Sequence, residues 1–490
     1  MKLLLPPQVH TVLDALRAAG FSAWAVGGCV RDSVMGRVPK DWDVTTNAVP
    51  AQMHEALAGI RIHDTGIAHG TVTAVVDALP IEITTFRVDG AYSDRRRPDS
   101  VQFTDDLLAD LSRRDFTVNA MAYHPESGIV DAFGGLDDLR ARRIRCVGDA
   151  GTRFGEDALR ILRALRFASV LDFALDADTA AACLRSRALL NAIAPERHCK
   201  ELPALLCGPR AAAVLADFAP VIFQLIPALA DTQNFAQNTP WHCYDVWTHT
   251  IQSVAAAPPE PLLRMTMLLH DIAKPQCFST DANGTAHFHG HAEQGAALAG
   301  EILTALRCPK RFTARVQLLI AHHDRRPEEM NFLAASGEVS PGNYRNPPQK
   351  RTRKDCAEYL TRRRNSCESL SALPKLLGSL GEEAYFQLLA VQRADALAKS
   401  ERAKEQLPLL DEAEQHARQL LAQNACLTLK GLAVSGHDLR NAGFPPGAII
   451  GRLLQALLDA VMRGELANEK AALLDAAKRY EEETAWRKQS

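Results

Sequence analysis

The chain has 490 residues, too many for one hydrophobic core, so roughly three or four domains are expected. At 47% hydrophobic and 23% charged it has a globular composition, and 56 basic against 58 acidic residues leave a net charge of −2. That balance excludes a general polycation, so a nucleic-acid partner must be held by a local basic surface.

At the N-terminus, MKLLLPPQVH holds too short an apolar run for a signal peptide. Residues 8–20 read as an amphipathic helix ending at Gly20. SAWAVGG (22–28) reads as a short buried strand running into a glycine turn, and RDSVMG starts a second helix. DWDVTT (41–46), GTVTAVV (70–76) and PIEITTFRV (80–88) have strand character, so the first ~120 residues mix strands and helices. The segment 89–100, DGAYSDRRRPDS, reads as a flexible loop. From about residue 150 onward, Ala, Leu and Arg recur at helical spacing and strand signals nearly vanish. Composition shifts at 230–242, read as a linker, and at 325–350, read as a basic loop or insertion. No uncharged apolar stretch of about 18 residues offers a membrane span. Eleven cysteines without a CxxC pair argue against a zinc ribbon and fit scattered thiols in a reducing cytosol.

The first chemical constellation is GGCVRD (27–32) followed by KDWDVTT (40–46). Two glycines after a strand let backbone N–H groups approach a triphosphate, and Arg31 can pair with a phosphate. Asp41 and Asp43 stand at i and i+2, the same face of a strand, where both carboxylates can hold Mg²⁺. Two-metal phosphoryl transfer needs such a cluster, with ions about 4 Å apart. Glu82, in IEITTF, is the natural third carboxylate.

The second is GEDALRILRALRFA (155–168), read as one helix with Leu159, Leu162, Leu165 and Phe167 on its packed side. Asp157 and Arg160 are then surface neighbours. Such a pair can imitate a Watson–Crick edge, accepting from the amino group of cytosine or adenine and donating to the ring nitrogen. Uracil and guanine would set an acceptor against the carboxylate and be refused. Arg163 can serve a phosphate or help the base. Arg114, in LSRRDFTVNAMAY (111–123), is a further candidate nucleotide contact, and Asn119 reads as structural.

Taken in order, GGCVRD, DWD, RRDFTVNAMAY, DAFGGLDDL (131–139) and EDALRILRALRFA resemble the class II tRNA nucleotidyltransferase and bacterial poly(A) polymerase family. Residues 435–470 resemble that family's tail more loosely. The resemblance implies an α+β fold, with a polymerase-β-like head followed by mostly helical neck, HD, body and tail parts. It implies Asp41 and Asp43 as Mg²⁺ ligands, and Gly28, Arg31, Arg114, Asp157, Arg160 and Arg163 as nucleotide-binding residues, with Arg166 in a less defined role. The loop 89–100 resembles that of the CCA-adding branch, so the expected substrates are tRNA, CTP and ATP in the cytoplasm. Poly(A) addition is the alternative within the family.

The third constellation is a histidine series: HCYDVWTHT (242–250), LLHDIAKP (268–275), HFHGHAEQGA (287–296) and LIAHHDRRP (319–327). An adjacent His270–Asp271 pair with further His and Asp from other helices suits a transition metal. The series resembles the HD phosphohydrolase superfamily, which implies His249, His270, Asp271 and Asp324 as ligands to Ni²⁺, Co²⁺ or Mn²⁺. His291 and His323 are possible extensions, and Lys274 a phosphate contact. Such a site suggests phosphatase, 2′-nucleotidase or cyclic phosphodiesterase activity; the second alternative makes it the main enzyme, with the head an RNA-binding platform. The expected boundaries are 1–148 for the head, 149–230 for the neck, 240–335 for the HD domain and 365–490 for the body and tail. Lys/Arg-bearing stretches at 349–354, 362–364 and 429–436 are candidates for tRNA phosphates. The sequence points to no membrane and sets no oligomeric state.

Overall fold

The computed structural model describes residues 2–90, 100–325 and 372–486. Most of the loop 89–100 and the basic stretches 349–354 and 362–364 lie outside the described residues. The chain forms two compact units, one of residues 1–236, 245–268 and 298–313, the other of 237–244, 269–297 and 314–490.

The first unit opens with helix α1 (Pro7–Ala18), which buries Val9, Val12, Leu13 and Leu16 along one stripe. Strand β1 (Ala23–Val26) leads through Gly27, at φ 81°, into α2 (Gly28–Val34). There follow β2 (Trp42–Thr46), α3 (Pro50–Ala56), β3 (Arg61–Gly66), β4 (Thr71–Val76) and β5 (Leu79–Thr85). A hairpin of β6 (Arg87–Asp89) and β7 (Val101–Phe103) precedes α4 (Leu107–Ser112), β8 (Ala122–His124), β9 (Gly128–Val130) and α5 (Gly135–Arg140). Seven strands join in the order β3-β4-β5-β2-β1-β8-β9. Only β2 and β5 run parallel in this sheet, setting Asp43 directly beside Glu82. Along β5, Ile81, Ile83 and Thr85 are buried while Glu82 is exposed, which is the period-2 alternation of a strand with one covered face.

Helices α6 (Ala150–Glu156) and α7 (Leu159–Leu171) begin the mostly helical part of this unit, broken by a short strand at Ala174–Leu175 that pairs with Arg143–Ile144. The single helix expected over 155–168 is broken between them. Asp157 is extended (φ −132°, ψ 100°), and its Oδ1 accepts from the Leu159 N–H at 3.0 Å. A short acidic side chain that bonds the backbone two residues on competes with helix continuation. The free thiols expected throughout also meet an exception. Cys199 and Cys308 are joined, with Cα atoms 5.6 Å apart.

Among its described residues, the second unit's regular structure is helical apart from a short hairpin at Ser279–Thr280 and Ala286–His287. Leu373 and Leu377 of helix Ala372–Leu380 pack with Tyr385 and Leu389 of helix Glu382–Leu397 and with Leu410 and Ala417 of helix Leu407–Ala422. A separate cluster closes the C-terminal end around Leu439, Leu457 and Leu473. No helix among the described residues is long and apolar enough to cross a membrane.

Candidate active sites

In the head, the turn after β1 brings a bare backbone against charge. A methyl group placed on Gly27 would lie 3.3 Å from Arg114 Nη1 and 3.8 Å from Asp43 Oδ2. Positive φ and this close approach both call for glycine at position 27. Gly28 opens α2, and Arg31 in the next turn is buried, its Nη1 donating to Asn119 Oδ1 at 2.6 Å and its Nε to Asp32 Oδ1 at 2.8 Å.

Asp43 carries the electrostatic signature of the site. Burial, with the neighbouring carboxylates of Glu82 and Asp41 adding to it and Arg114 opposing, pushes its carboxyl up to about 6. Glu82 and Asp41 thus both act on Asp43 with Arg114 as the opposing charge, and Asp41 itself is exposed and stands just before β2 rather than on it. The unrelieved repulsion at Asp43 and an all-oxygen donor set fit Mg²⁺. Arg114 is aimed by Asp110, fully buried, whose Oδ2 lies 3.2 Å from Arg114 Nη2 and accepts from Thr45 Oγ1 at 3.1 Å. Burial works against the Asp110 charge, but Arg114 and Arg113 outweigh it and hold its carboxyl low.

The residues expected to read the base are arranged differently from the surface pair expected. Arg160 is buried. Its Nη1 donates to Glu156 Oε2 at 2.6 Å and its Nη2 to the Arg113 carbonyl at 3.0 Å, while Asp157 stands at the break between α6 and α7. Burial raises the Asp157 carboxyl, with Arg160, Arg197 and Arg163 opposing. Arg163 donates twice to Asp115 Oδ2, at 2.9 and 2.6 Å. Burial would raise Asp115, yet Arg163 and Asn119 bring it down to about 2. Asn119, read as structural, closes a chain of contacts. It accepts from Arg31 and donates to Asp115 Oδ1 at 3.1 Å, so the helix after the Gly27 turn is tied to α7 through Arg163. The Phe167 ring sits beneath three guanidinium groups, Arg166 at 4.2 Å, Arg31 at 5.2 Å and Arg163 at 5.4 Å from its centroid.

The second unit holds a buried histidine–carboxylate cluster. His270 and Asp271 follow helix Pro261–Leu269 rather than lying on it. His270 Nε2 is 3.2 Å from Asp271 Oδ2 and 3.6 Å from Asp395 Oδ1, while His291 and His323 each approach Asp271 Oδ1 at 3.5 Å. The ligand atoms of His270, Asp271 and His323 lie within 4.8 Å of one another. Burial would lower His270, but Asp271 and Asp395 overcome it and hold a proton on the ring. That proton stands where a cation would sit between buried carboxylates, and the mixed nitrogen and oxygen donors fit a first-row divalent metal.

One of the expected HD ligands, Asp324, is placed otherwise. Asp324 is exposed just beyond the end of helix Lys310–His322, and the preceding His323 is the buried residue facing Asp271. His249 is buried on helix Val246–Ala256 of the first unit, its Nε2 3.4 Å from Ser253 Oγ. The carboxylate beside His270 is Asp395, in AVQRADAL, which sequence reasoning missed. Its signal was an acidic residue on an otherwise buried helix face, among Val391, Ala394 and Ala396. Lys274, read as a phosphate contact, is turned into the cluster against Asp271 Oδ2 at 2.6 Å.

Comparison with known proteins adds three domain matches. These are the poly A polymerase head domain over residues 23–145, the HD domain over 242–398, and tRNA nucleotidyltransferase domain 2 over 361–477. A CCA-adding enzyme of Lactobacillus delbrueckii subsp. bulgaricus is 46% identical over 211 residues, 43% of this chain and 53% of that protein. The chain thus spans about half the length of the first curated relatives it matches. A CCA-adding enzyme of Levilactobacillus brevis is 32% identical over 475 residues, 95% of this chain and 96% of the relative. Among solved structures, the Bacillus stearothermophilus CCA-adding enzyme in complex with CTP superposes with a TM-score of 0.69 at 27% identity, covering 99% of this chain and 100% of that one.

Proposed function

The chain belongs to the CCA-adding enzymes, and from that premise we propose that it adds C, C and A in turn to the 3′ end of tRNA, using CTP and ATP without a nucleic-acid template. The observation that carries this reading is the register of β2 against β5, which sets Asp43 beside Glu82 next to the Gly27 turn and Arg114. We assign the chemistry to residues 1–148, base selection to 149–230 and tRNA binding to 365–490, in the cytoplasm. Asp41, Asp43 and Glu82 would hold the Mg²⁺ that activates the tRNA 3′-hydroxyl and stabilises the leaving pyrophosphate. The backbone at Gly27 and Gly28, with Arg31 and Arg114, receives the triphosphate. Asp157 accepts from the amino group of C or A, and Arg160, Arg163 and Arg197 lie around it.

The test is extension of a tRNA transcript ending before C74 by the purified protein with Mg²⁺. Two additions with CTP and three with CTP plus ATP support the reading. Long tails from ATP alone move it to poly(A) addition.

For the HD cluster we propose phosphoester hydrolysis at RNA ends, as a 2′,3′-cyclic phosphodiesterase, 2′-nucleotidase or phosphatase loaded with Ni²⁺, Co²⁺ or Mn²⁺. Support comes from the buried His270–Asp271–His323 group with Asp395 beside it. Hydrolysis of 2′,3′-cyclic AMP with Ni²⁺ or Co²⁺, lost in a His270→Ala/Asp271→Ala variant, is the expected result. Equal turnover by that variant removes the assignment.

A further inference from the structure

Two ammonium groups meet the HD cluster, and they are used differently. Lys274 Nζ lies 2.6 Å from Asp271 Oδ2, 2.7 Å from Gln237 Oε1 and 3.2 Å from His242 Nε2, and its side chain is 4% exposed. An ammonium group has three N–H donors, and these three neighbours take all of them. Lys274 is therefore committed to holding Asp271 in place and has no donor left for a ligand.

Lys399, one helical turn beyond Asp395, is in the opposite condition. Among the described residues its Nζ engages a single acceptor, Asp395 Oδ2 at 2.5 Å, and its side chain is 21% exposed. Two N–H donors remain, on a cation that, unlike Lys274, reaches solvent. The backbone carrying it is pinned, because Ser400 N donates to the Trp241 carbonyl at 3.0 Å, Ser400 Oγ donates to the Pro240 carbonyl at 2.9 Å, and Arg402 stacks over the Trp241 ring at 4.4 Å. The position of Lys399 is thus fixed before any ligand arrives, which lowers the ordering cost of binding.

Charge points the same way. The carboxylates Asp271 and Asp395 would be balanced by one divalent cation with neutral histidine ligands. The two lysines then leave two positive charges, opposed from an exposed position by the Asp324 carboxylate that acts on Lys399. A phosphate monoester carries the matching charge, and a phosphodiester half of it.

We propose that Lys399 recognises the ligand of the HD cluster, donating its two remaining N–H groups to the non-bridging oxygens of a phosphate ester. The proposal deepens the phosphohydrolase reading of this cluster and rests on it.

The test uses the full chain loaded with Ni²⁺ and titrated calorimetrically with inorganic phosphate, with bound metal measured in parallel. Lys399→Gln should keep its metal and bind phosphate about tenfold or more weakly, and Lys399→Arg should recover most of the loss. Unchanged phosphate affinity in Lys399→Gln overturns the proposal while the hydrolase reading stands. Loss of metal from Lys399→Gln also overturns it, making Lys399 a positioning residue for Asp395. A wild-type protein that binds Ni²⁺ but no phosphate overturns the hydrolase reading and this proposal together.

Discussion

The head and the HD cluster both bring carboxylates close together, yet they manage the resulting repulsion in different ways. In the head, Asp43 meets Glu82 and Asp41 with Arg114 as the opposing cation, and its carboxyl is pushed up to about 6. In the cluster, Asp271 lies beside His270, His291, His323 and Lys274, and the charges of His270 and Lys274, with hydrogen bonds from His270 and His323, hold its carboxyl low against a strong burial effect. An acidic site short of counter-charge awaits a cation that arrives with its anionic ligand, as Mg²⁺ does on a nucleoside triphosphate. A site already padded with histidine and lysine suits a resident metal and an incoming anion. The same residue type therefore serves two chemistries, and its neighbours decide which.

The largest effects should come from separating the two sites. Asp43→Asn should lower tRNA extension about 10³-fold or more, because metal ligation supplies several kcal/mol to phosphoryl transfer. It should leave cyclic phosphate hydrolysis intact. His270→Ala should do the reverse. A variant in either site that abolishes both activities would show that the two centres are not independent.

Next in size is base choice. Asp157→Ala should cut the preference for CTP over UTP, measured as the ratio of kcat/KM values, by roughly ten- to a hundredfold. A preserved ratio would shift base selection away from Asp157 and toward the arginines around it.

Legibility in the sequence followed the range of the interactions. The glycine turn, the carboxylates at 41 and 43 and the strand carrying Glu82 were readable, because each depends on a few neighbouring residues. The face of Glu82 was not, since it depends on β5 pairing with β2 in parallel register. The apolar run ending in β8 reads equally as strand or helix for a related reason. The three residues of that strand are all buried, so they offer no alternation to detect. The break at Asp157 was hidden by good helical periodicity on both sides, and a side-chain bond to the Leu159 N–H decided it. At the HD cluster the adjacent pair was legible, whereas Asp395 comes from a helix far along the chain that only tertiary packing brings back.

The contact chain in the head predicts a smaller effect, of a kind the HD cluster should not reproduce. Asn119 accepts from Arg31 and donates to Asp115, whose other oxygen holds Arg163. Asn119→Ala removes both bonds, leaving Arg31 held by Asp32 alone and Arg163 by an Asp115 that has lost its own support, and both arginines are proposed nucleotide contacts. KM for CTP and ATP should rise together, about tenfold. Asn119 acts as a positioning residue, so kcat should change less than KM. Equal losses in kcat with KM unmoved would instead place it in contact with the reacting groups.

The smallest expected effect concerns stability, and it tests the opening contrast most directly. An aspartate held at about 6 in the folded state and near 3.9 unfolded binds more protons when folded between those values. Stability contributed by this group therefore falls as pH rises from about 4 to about 6 and stays low above that window. Asp43→Asn removes the repulsion, so at pH 7 without Mg²⁺ the variant should be more stable than wild type, by roughly 1 kcal/mol once solvent screening is discounted. At pH 4 the two should converge. Added Mg²⁺ should raise the melting temperature of wild type at pH 7 more than at pH 5 and should do little for the variant. An Asp43→Asn protein less stable than wild type at pH 7 would mean that Asp43 is compensated in the way Asp271 is, and the distinction between the two centres would fail.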